Sequence, residues 1–103
     1  MDNNHSQNEP RISLQAMRVL NAFLADKYNE LAGSDIARLS SLASGTLYPI
    51  LLRFESAGWL KSRWEDLDPA QAGRPRRRLY RFTPNGLARA SLLMAEFGRE
   101  VPA

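Results

Sequence analysis

The chain has 103 residues, 44% of them apolar and 24% charged, with no cysteine and a formal net charge of +3. That length suits one domain with one core, and the composition excludes wholesale disorder. Lack of cysteine removes disulfides, thiol catalysis and cysteine-ligated zinc together, and fits a reducing, cytoplasmic setting.

Residues 1–10, MDNNHSQNEP, are polar and lack the basic start and apolar stretch of a secretory signal. They are expected to form a disordered tail ahead of a domain over 11–103. His5, the single histidine, falls in that tail, which makes it a poor metal ligand or catalytic base. Apolar runs elsewhere fall short of the roughly 20 residues that span a bilayer, so no membrane partner is expected.

A first helix is expected from about Ser13 to about Lys27, with Ser13 as its cap. Leu14, Met17, Leu20, Phe23 and Leu24 recur at helical spacing along it. Residues 28–33 then read as a connector. A second, short helix is expected from Ser34 to near Ser41, with Ser34 as cap and Asp35 in the first turn, where the helix dipole favours an acid. Ile36, Leu39 and Leu42 mark its buried side. A tight turn at Leu42–Ala43 leads into a third helix from Ser44 to just before Gly58.

The third helix has the strongest periodicity in the chain. Leu47, Ile50, Leu51 and Phe54 follow the spacing i, i+3, i+4, i+7 and share one face. Gly45, Pro49, Leu52 and Ser56 point the other way, with Thr46 and Arg53 on one flank and Tyr48 on the other. Pro49 lies just past the first turn and need not break the helix.

Alternation over Trp59–Glu65 and over Arg77–Phe82 predicts two strands. Between them DLDPAQAGRP, with two prolines and a glycine, reads as the long tip of a hairpin. Thr83 then caps a last helix to about Glu100, with Pro84 at its first position. Leu87, Ala90, Met94, Phe97 and Val101 repeat along it at spacings of three and four, like a short coiled-coil seam. The expected fold is therefore mainly α with a small β-hairpin, in the order α-α-α-β-β-α, which is the winged helix-turn-helix arrangement.

Charge is concentrated in the second half. Between Ser34 and Arg89 ten basic side chains face five acidic ones, a net +5, and most are arginine, which forks onto phosphates and guanine edges. Four of them, Arg74, Arg76, Arg77 and Arg78, sit within five residues on the hairpin, with no acid inside the cluster. Such a tip can reach a minor groove or track its phosphates, while the alternative is a solubilising loop. Lys61 and Arg63 share one strand face and extend the basic surface.

A helix such as the third fits the major groove and meets base edges with its N-terminal end. Ser44, Gly45 and Thr46 are short enough there for close approach, and Tyr48 has a hydroxyl for a phosphate. Ser44 is equally readable as a plain cap, and Tyr48 as core packing. Arg53, further along the outer side, suits a phosphate contact or an acidic neighbour. Ser34 and Arg38, at the start of the second helix, can hold the backbone beside the groove. Glu65, Asp66 and Asp68 lack the spacing of a calcium loop, and no phosphate-binding glycine loop or nucleophile–base pair stands out. No cofactor, metal site or enzymatic activity is expected.

Several motifs in order resemble the PadR family of bacterial transcriptional regulators. They are Gly45-Thr46-Leu47-Tyr48-Pro49, Glu55-Ser56-Ala57-Gly58, Trp64-Glu65, Gly73-Arg74-Pro75-Arg76-Arg77 and Thr83-Pro84-Asn85-Gly86, which together span about half the chain. The resemblance implies a winged-helix repressor that binds a pseudo-palindromic duplex DNA operator as a homodimer, with a small aromatic effector as a further partner. Helix packing between protomers is then expected through Leu14 and Met17 of the first helix and Leu87, Ala90, Met94, Phe97 and Val101 of the last. That last helix, about seventeen residues, is shorter than usual in the family. The competing reading is a protein-interaction module that keeps the winged-helix shape without binding specific DNA.

Overall fold

In the computed structural model the described residues are Pro10 and 12–100, with side chains described through Phe97. Helix α1 spans Leu14–Leu24, and the Ser13 hydroxyl accepts the Ala16 N–H at 3.0 Å. The helix stops three residues before the sequence-based estimate. Its buried residues, Ala16, Met17, Val19, Leu20, Ala22 and Phe23, form a face broader than the predicted stripe, and Leu14 at its start is exposed.

A short strand follows that periodicity did not reveal. β1, Leu31–Ala32, pairs antiparallel with a later strand, Leu31 opposite Tyr80 and Ala32 opposite Leu79. Helix α2, Gly33–Ser40, starts immediately after it. Ala32, not Ser34, occupies the cap position. Its N–H is taken by the Asp35 carboxylate at 3.2 Å, so the acid in the first turn does the work expected of a hydroxyl. Ser41 ends α2 in the left-handed region at φ 60°, and its following residue bonds back from Leu42 N–H to Ala37 O at 3.2 Å. Leu39, expected to be buried, is 47% exposed, while Ser40 is buried in its place. A helix of eight residues has room for only one narrow inward face, and Ile36 fills it.

Helix α3 is Ser44–Ser56, with Leu47, Ile50, Leu51 and Phe54 all buried as their spacing requires. Ala43 is its cap residue, so Ser44 is the first helical position and its side chain is not used for capping. Pro49 sits within the helix without ending it. The amide it lacks would have met Gly45 O, and both residues are exposed, where a missing helix hydrogen bond costs least. Gly58, at φ +80°, closes the helix, and Trp59 N–H reaches back to Phe54 O at 2.9 Å.

β2, Leu60–Trp64, and β3, Arg78–Phe82, form the hairpin, in register Leu60–Phe82, Ser62–Tyr80 and Trp64–Arg78. With β1 they make a three-stranded antiparallel sheet in the order β1-β3-β2. The tip is not wholly irregular. A single helical turn, α4, Pro69–Ala72, is capped by Asp68 and closed by Gly73 at φ +71°. Helix α5, Pro84–Glu100, starts where the Thr83 hydroxyl accepts Gly86 N–H at 2.9 Å and donates to Gly58 O at 2.6 Å. Gly86 is required there, because a Cβ would strike the backbone of Trp59.

One core joins these elements. Phe23 meets Phe82 with ring centroids 5.4 Å apart, Phe54 stacks on Trp59 at 5.3 Å, and Ala90 packs α5 onto the cluster. Met17 and Ala90 are buried within the single chain, at 6% and 0% exposure. Leu87 is half-buried against the same core. Leu14, Leu92 and Phe97 remain exposed, with Met94 half-buried beside them. The expectations for residues 1–9 and for Val101 lie outside the described residues.

Candidate nucleic-acid interface

The opening turn of α3 stands clear of the core. Ser44, Gly45 and Pro49 are exposed and Thr46 is half-buried, while Arg53 and Leu52, 65% exposed, continue the outer face. Nothing lies within 4 Å of where a Gly45 Cβ would be, and its φ is ordinary, so the chain's own packing does not call for glycine there. Glycine inside a helix costs roughly 1 kcal/mol relative to alanine.

Tyr48 is packed on one side and open on the other. Its ring lies over Gly33 at the start of α2, so closely that a Cβ at Gly33 would collide with the hydroxyl, yet the residue remains 45% exposed. Ser34 is exposed beside it. Arg38, also exposed, pairs with Asp35 at 3.2 Å, a surface contact of little energetic weight.

The wing arginines do not behave as one group. Arg74 makes a forked pair with Glu65, at 2.7 and 3.1 Å, although the hairpin cluster reads as having no acidic partner. Glu65 also accepts Arg77 N–H at 2.9 Å. The hydrogen bond from Arg74, helped by the Arg77 amide, holds the Glu65 carboxyl down at about 2. Arg74 thus folds the wing tip back onto the end of β2. Arg76 donates its Nε to Leu67 O at 2.8 Å, which braces the loop and leaves its charge unbalanced. Arg78 donates to Ser62 Oγ at 3.0 Å, lies over the Trp64 ring at 5.1 Å and approaches Glu55 at 3.9 Å. Arg63 forks onto Glu30 with two contacts of 2.7 Å, tying β2 to the segment before β1, and lowers the Glu30 carboxyl. Arg77, Lys61 and Arg53 are exposed and have no acidic partner among the described residues.

A cleft of about 410 Å³ separates α3 from the wing. Ala32, Gly33, Ser34 and Tyr48 form one wall, and Trp64, Arg76, Arg77, Arg78 and Tyr80 form the other. The start of α2, Tyr48 of α3 and the basic end of the wing therefore open onto one cleft. Trp64 of β2 and Tyr80 of β3 belong to this cleft. Their one signal was polar-edged aromatics alternating onto the same sheet face as Arg78. Among the described residues no group of three or more His, Asp or Glu is placed to hold a metal, and no helix is long and apolar enough to cross a membrane.

Comparison with known proteins bears directly on this arrangement. The profile of the transcriptional regulator PadR-like family matches residues 29–91, from the residue before Glu30 to the first turns of α5. The chain belongs to the PadR-like family. Its match takes in the whole of α2, α3 and the wing, so the cleft is built entirely from family elements.

No curated protein matches the chain by sequence. Solved structures do. A PadR-like transcription factor from Bacteroides fragilis is 25% identical with a TM-score of 0.64, over 95% of this chain and 91% of its own. PcaV, a transcriptional regulator from Streptomyces coelicolor in complex with its natural ligand, is 25% identical with a TM-score of 0.68, over 85% of this chain and 57% of its own. Reduced AbfR bound to DNA, 24% identical with a TM-score of 0.70 over 89% of this chain and 60% of its own, shares the fold. The PadR-like chain described here thus spans about three fifths of the length of AbfR and PcaV. Its fold is a winged helix, with β1 as a third strand added to the expected hairpin.

Proposed function

We infer that this PadR-like protein is a sequence-specific regulator that binds duplex DNA as a homodimer at a pseudo-palindromic operator and represses transcription there, in the cytoplasm. One observation carries the reading: Tyr48 of α3, the start of α2 and the wing residues Arg76, Arg77 and Arg78 line one cleft, and the small residues that open α3 are exposed one turn before Tyr48. A helix in the major groove and a basic wing on the adjoining backbone need that geometry.

Ser44, Gly45 and Thr46 then approach the base edges, with Leu52 on the outer face adding an apolar contact of the kind that reads a thymine methyl. Arg53, Lys61, Arg76 and Arg77 supply phosphate contacts. Arg63, Arg74 and Arg78 act mainly by shaping the wing, since each already holds an intramolecular partner. Ser34 and Arg38 position the start of α2 against the backbone. Dimerisation is assigned to Leu14, Leu92, Met94 and Phe97, which the monomer leaves uncovered or only half covered. The two recognition helices of such a dimer would lie about one DNA turn, roughly 34 Å, apart. AbfR is seen bound to DNA and PcaV with a ligand; a small aromatic effector is the corresponding further partner of this chain.

Fluorescence anisotropy against the duplex upstream of its own gene, beside a scrambled duplex, tests the reading. Saturable binding that prefers the upstream duplex is expected. Equal affinity for both refutes the specific regulator.

A further inference from the structure

Tyr80 sits in the middle of β3, opposite Leu31 on one side and Ser62 on the other, and is only 7% exposed. Phenylalanine would fill such a place with no polar atom to satisfy. Yet the Tyr80 hydroxyl makes no hydrogen bond among the described residues, whereas its strand neighbours Ser62 and Arg78 bond to each other. No side-chain oxygen is left both buried and unpaired among the described residues. The small accessible remnant of Tyr80 therefore includes its hydroxyl, and the space that Tyr80 lines is the cleft between α3 and the wing. A hydroxyl open to the cleft and bonded to no described residue is available to a molecule that enters it.

The rest of the cleft defines that partner. Tyr48 brings a second hydroxyl that is likewise unbonded among the described residues. Ser34 brings a third, at the start of the eight-residue helix α2. Arg76 and Arg77 add positive charge, and Trp64 and the tyrosine rings give flat apolar walls. Burial, with Glu55 nearby, pushes the Tyr80 phenol upward, so it stays protonated and donates. The acids around it are already engaged: Asp35 by Ala32 N–H and Arg38, Glu55 by Ser62 and Arg78, Glu65 by Arg74 and the Arg77 N–H. Each of these groups can donate, Arg76 and Arg77 can only donate and carry positive charge, and the acceptor that suits such a set is an oxyanion.

We propose that this cleft seats a phosphodiester of duplex DNA, with Tyr80 as the donor at its floor and Tyr48, Ser34 and Arg77 closing around it. The proposal rests on the DNA-binding reading and sharpens it. Recognition by three hydroxyls is neutral, so it fixes the height and register of the backbone between α3 and the wing without adding to the salt dependence.

Tyr80→Phe removes one oxygen and keeps the ring. Duplex affinity should fall about tenfold per protomer, the loss of one hydrogen bond to a charged acceptor. The loss should be equal on preferred and scrambled duplexes, with the slope of log affinity against log salt unchanged and the melting temperature retained. Tyr48→Phe, on an exposed side chain, should give the same signature and guards against a folding defect in the sheet. Unchanged affinity in both variants overturns the proposal while leaving DNA binding intact. Absence of DNA binding by the unmodified protein overturns both. Inorganic phosphate at matched ionic strength distinguishes the source of the anion. Millimolar phosphate that binds the unmodified protein but not Tyr80→Phe, with DNA affinity the same in both, assigns the cleft to a free phosphate and overturns its role on the duplex.

Discussion

Arg77 and Arg74 lie three residues apart on the wing, and the structure predicts opposite consequences for removing their charges. Arg77 is exposed and no acidic side chain pairs with it among the described residues; Glu65 lies near enough to feel its charge but is already held by Arg74, so the Arg77 charge is available to a phosphate. Neutralising one phosphate releases counterions and contributes about 0.9 to the slope of log affinity against log salt. Arg77→Ala should therefore lower that slope by about 0.9 per protomer. Between about 50 mM and about 200 mM salt, this shrinks the fall in affinity by about 3.5-fold for one protomer and about 12-fold for two. Arg74 is held by Glu65, at 2.7 and 3.1 Å. Replacing both, as Glu65→Gln with Arg74→Gln, keeps the net charge and removes only the pair, so the slope should not move. Anisotropy titrations at four or five salt concentrations measure both slopes on one duplex, with circular dichroism confirming the fold. The reasoning is refuted if the double variant loses as much slope as Arg77→Ala, since Arg74 would then leave Glu65 for DNA. An unchanged slope in Arg77→Ala refutes it equally.

Other expectations follow from single contacts. Gly86→Ala gains about 1 kcal/mol of helix propensity, but its Cβ meets the rigid Trp59 backbone. Overpacking of that kind costs about 1–3 kcal/mol, so a melting temperature several degrees lower is expected, and an unchanged or higher one counts against the packing at this corner. Glu65 is held at about 2, below its ordinary value of 4.5. Its link to Arg74 therefore stabilises the wing fully above about pH 4.5 and is lost as pH falls toward about 2. Thermal melts of the natural protein and Glu65→Gln should accordingly converge across that interval. Leu52→Ala should shift the preferred bases selected from a random duplex pool, whereas Arg53→Ala should weaken all duplexes alike. Phe97→Glu should leave a monomer by light scattering at micromolar concentration, if the uncovered face of α5 is where protomers meet.

Gly45 and Leu52 show how function departs from folding preference along one helix. The inward side of α3 is wholly accounted for by the core. Its outward side carries a glycine that packs against nothing and a leucine in solvent. Neither contributes to the stability of the isolated chain. Both suit a helix whose outer face is completed by a second molecule.

The sequence alone determined much of what depends on neighbours a few residues apart, though not the cap of α2 or the single turn of α4. The periodicity of Leu47, Ile50, Leu51 and Phe54, the Ser13 and Thr83 caps, the stop at Gly58 and the alternation of both hairpin strands each satisfy backbone and apolar surface locally. Tertiary structure alone decided the rest. β1 has two residues, too few for a pattern, and exists because β3 offers it an edge. Leu39 lies outside and Met17 and Ala90 inside because helix crossing, not spacing, sets which part of an apolar face is covered. The arginines sort into braced and free through Glu30, 33 residues from Arg63, and Glu65, nine from Arg74. An ion pair costs little chain entropy only after the fold has brought its partners together, so no reading of the linear chain shows it.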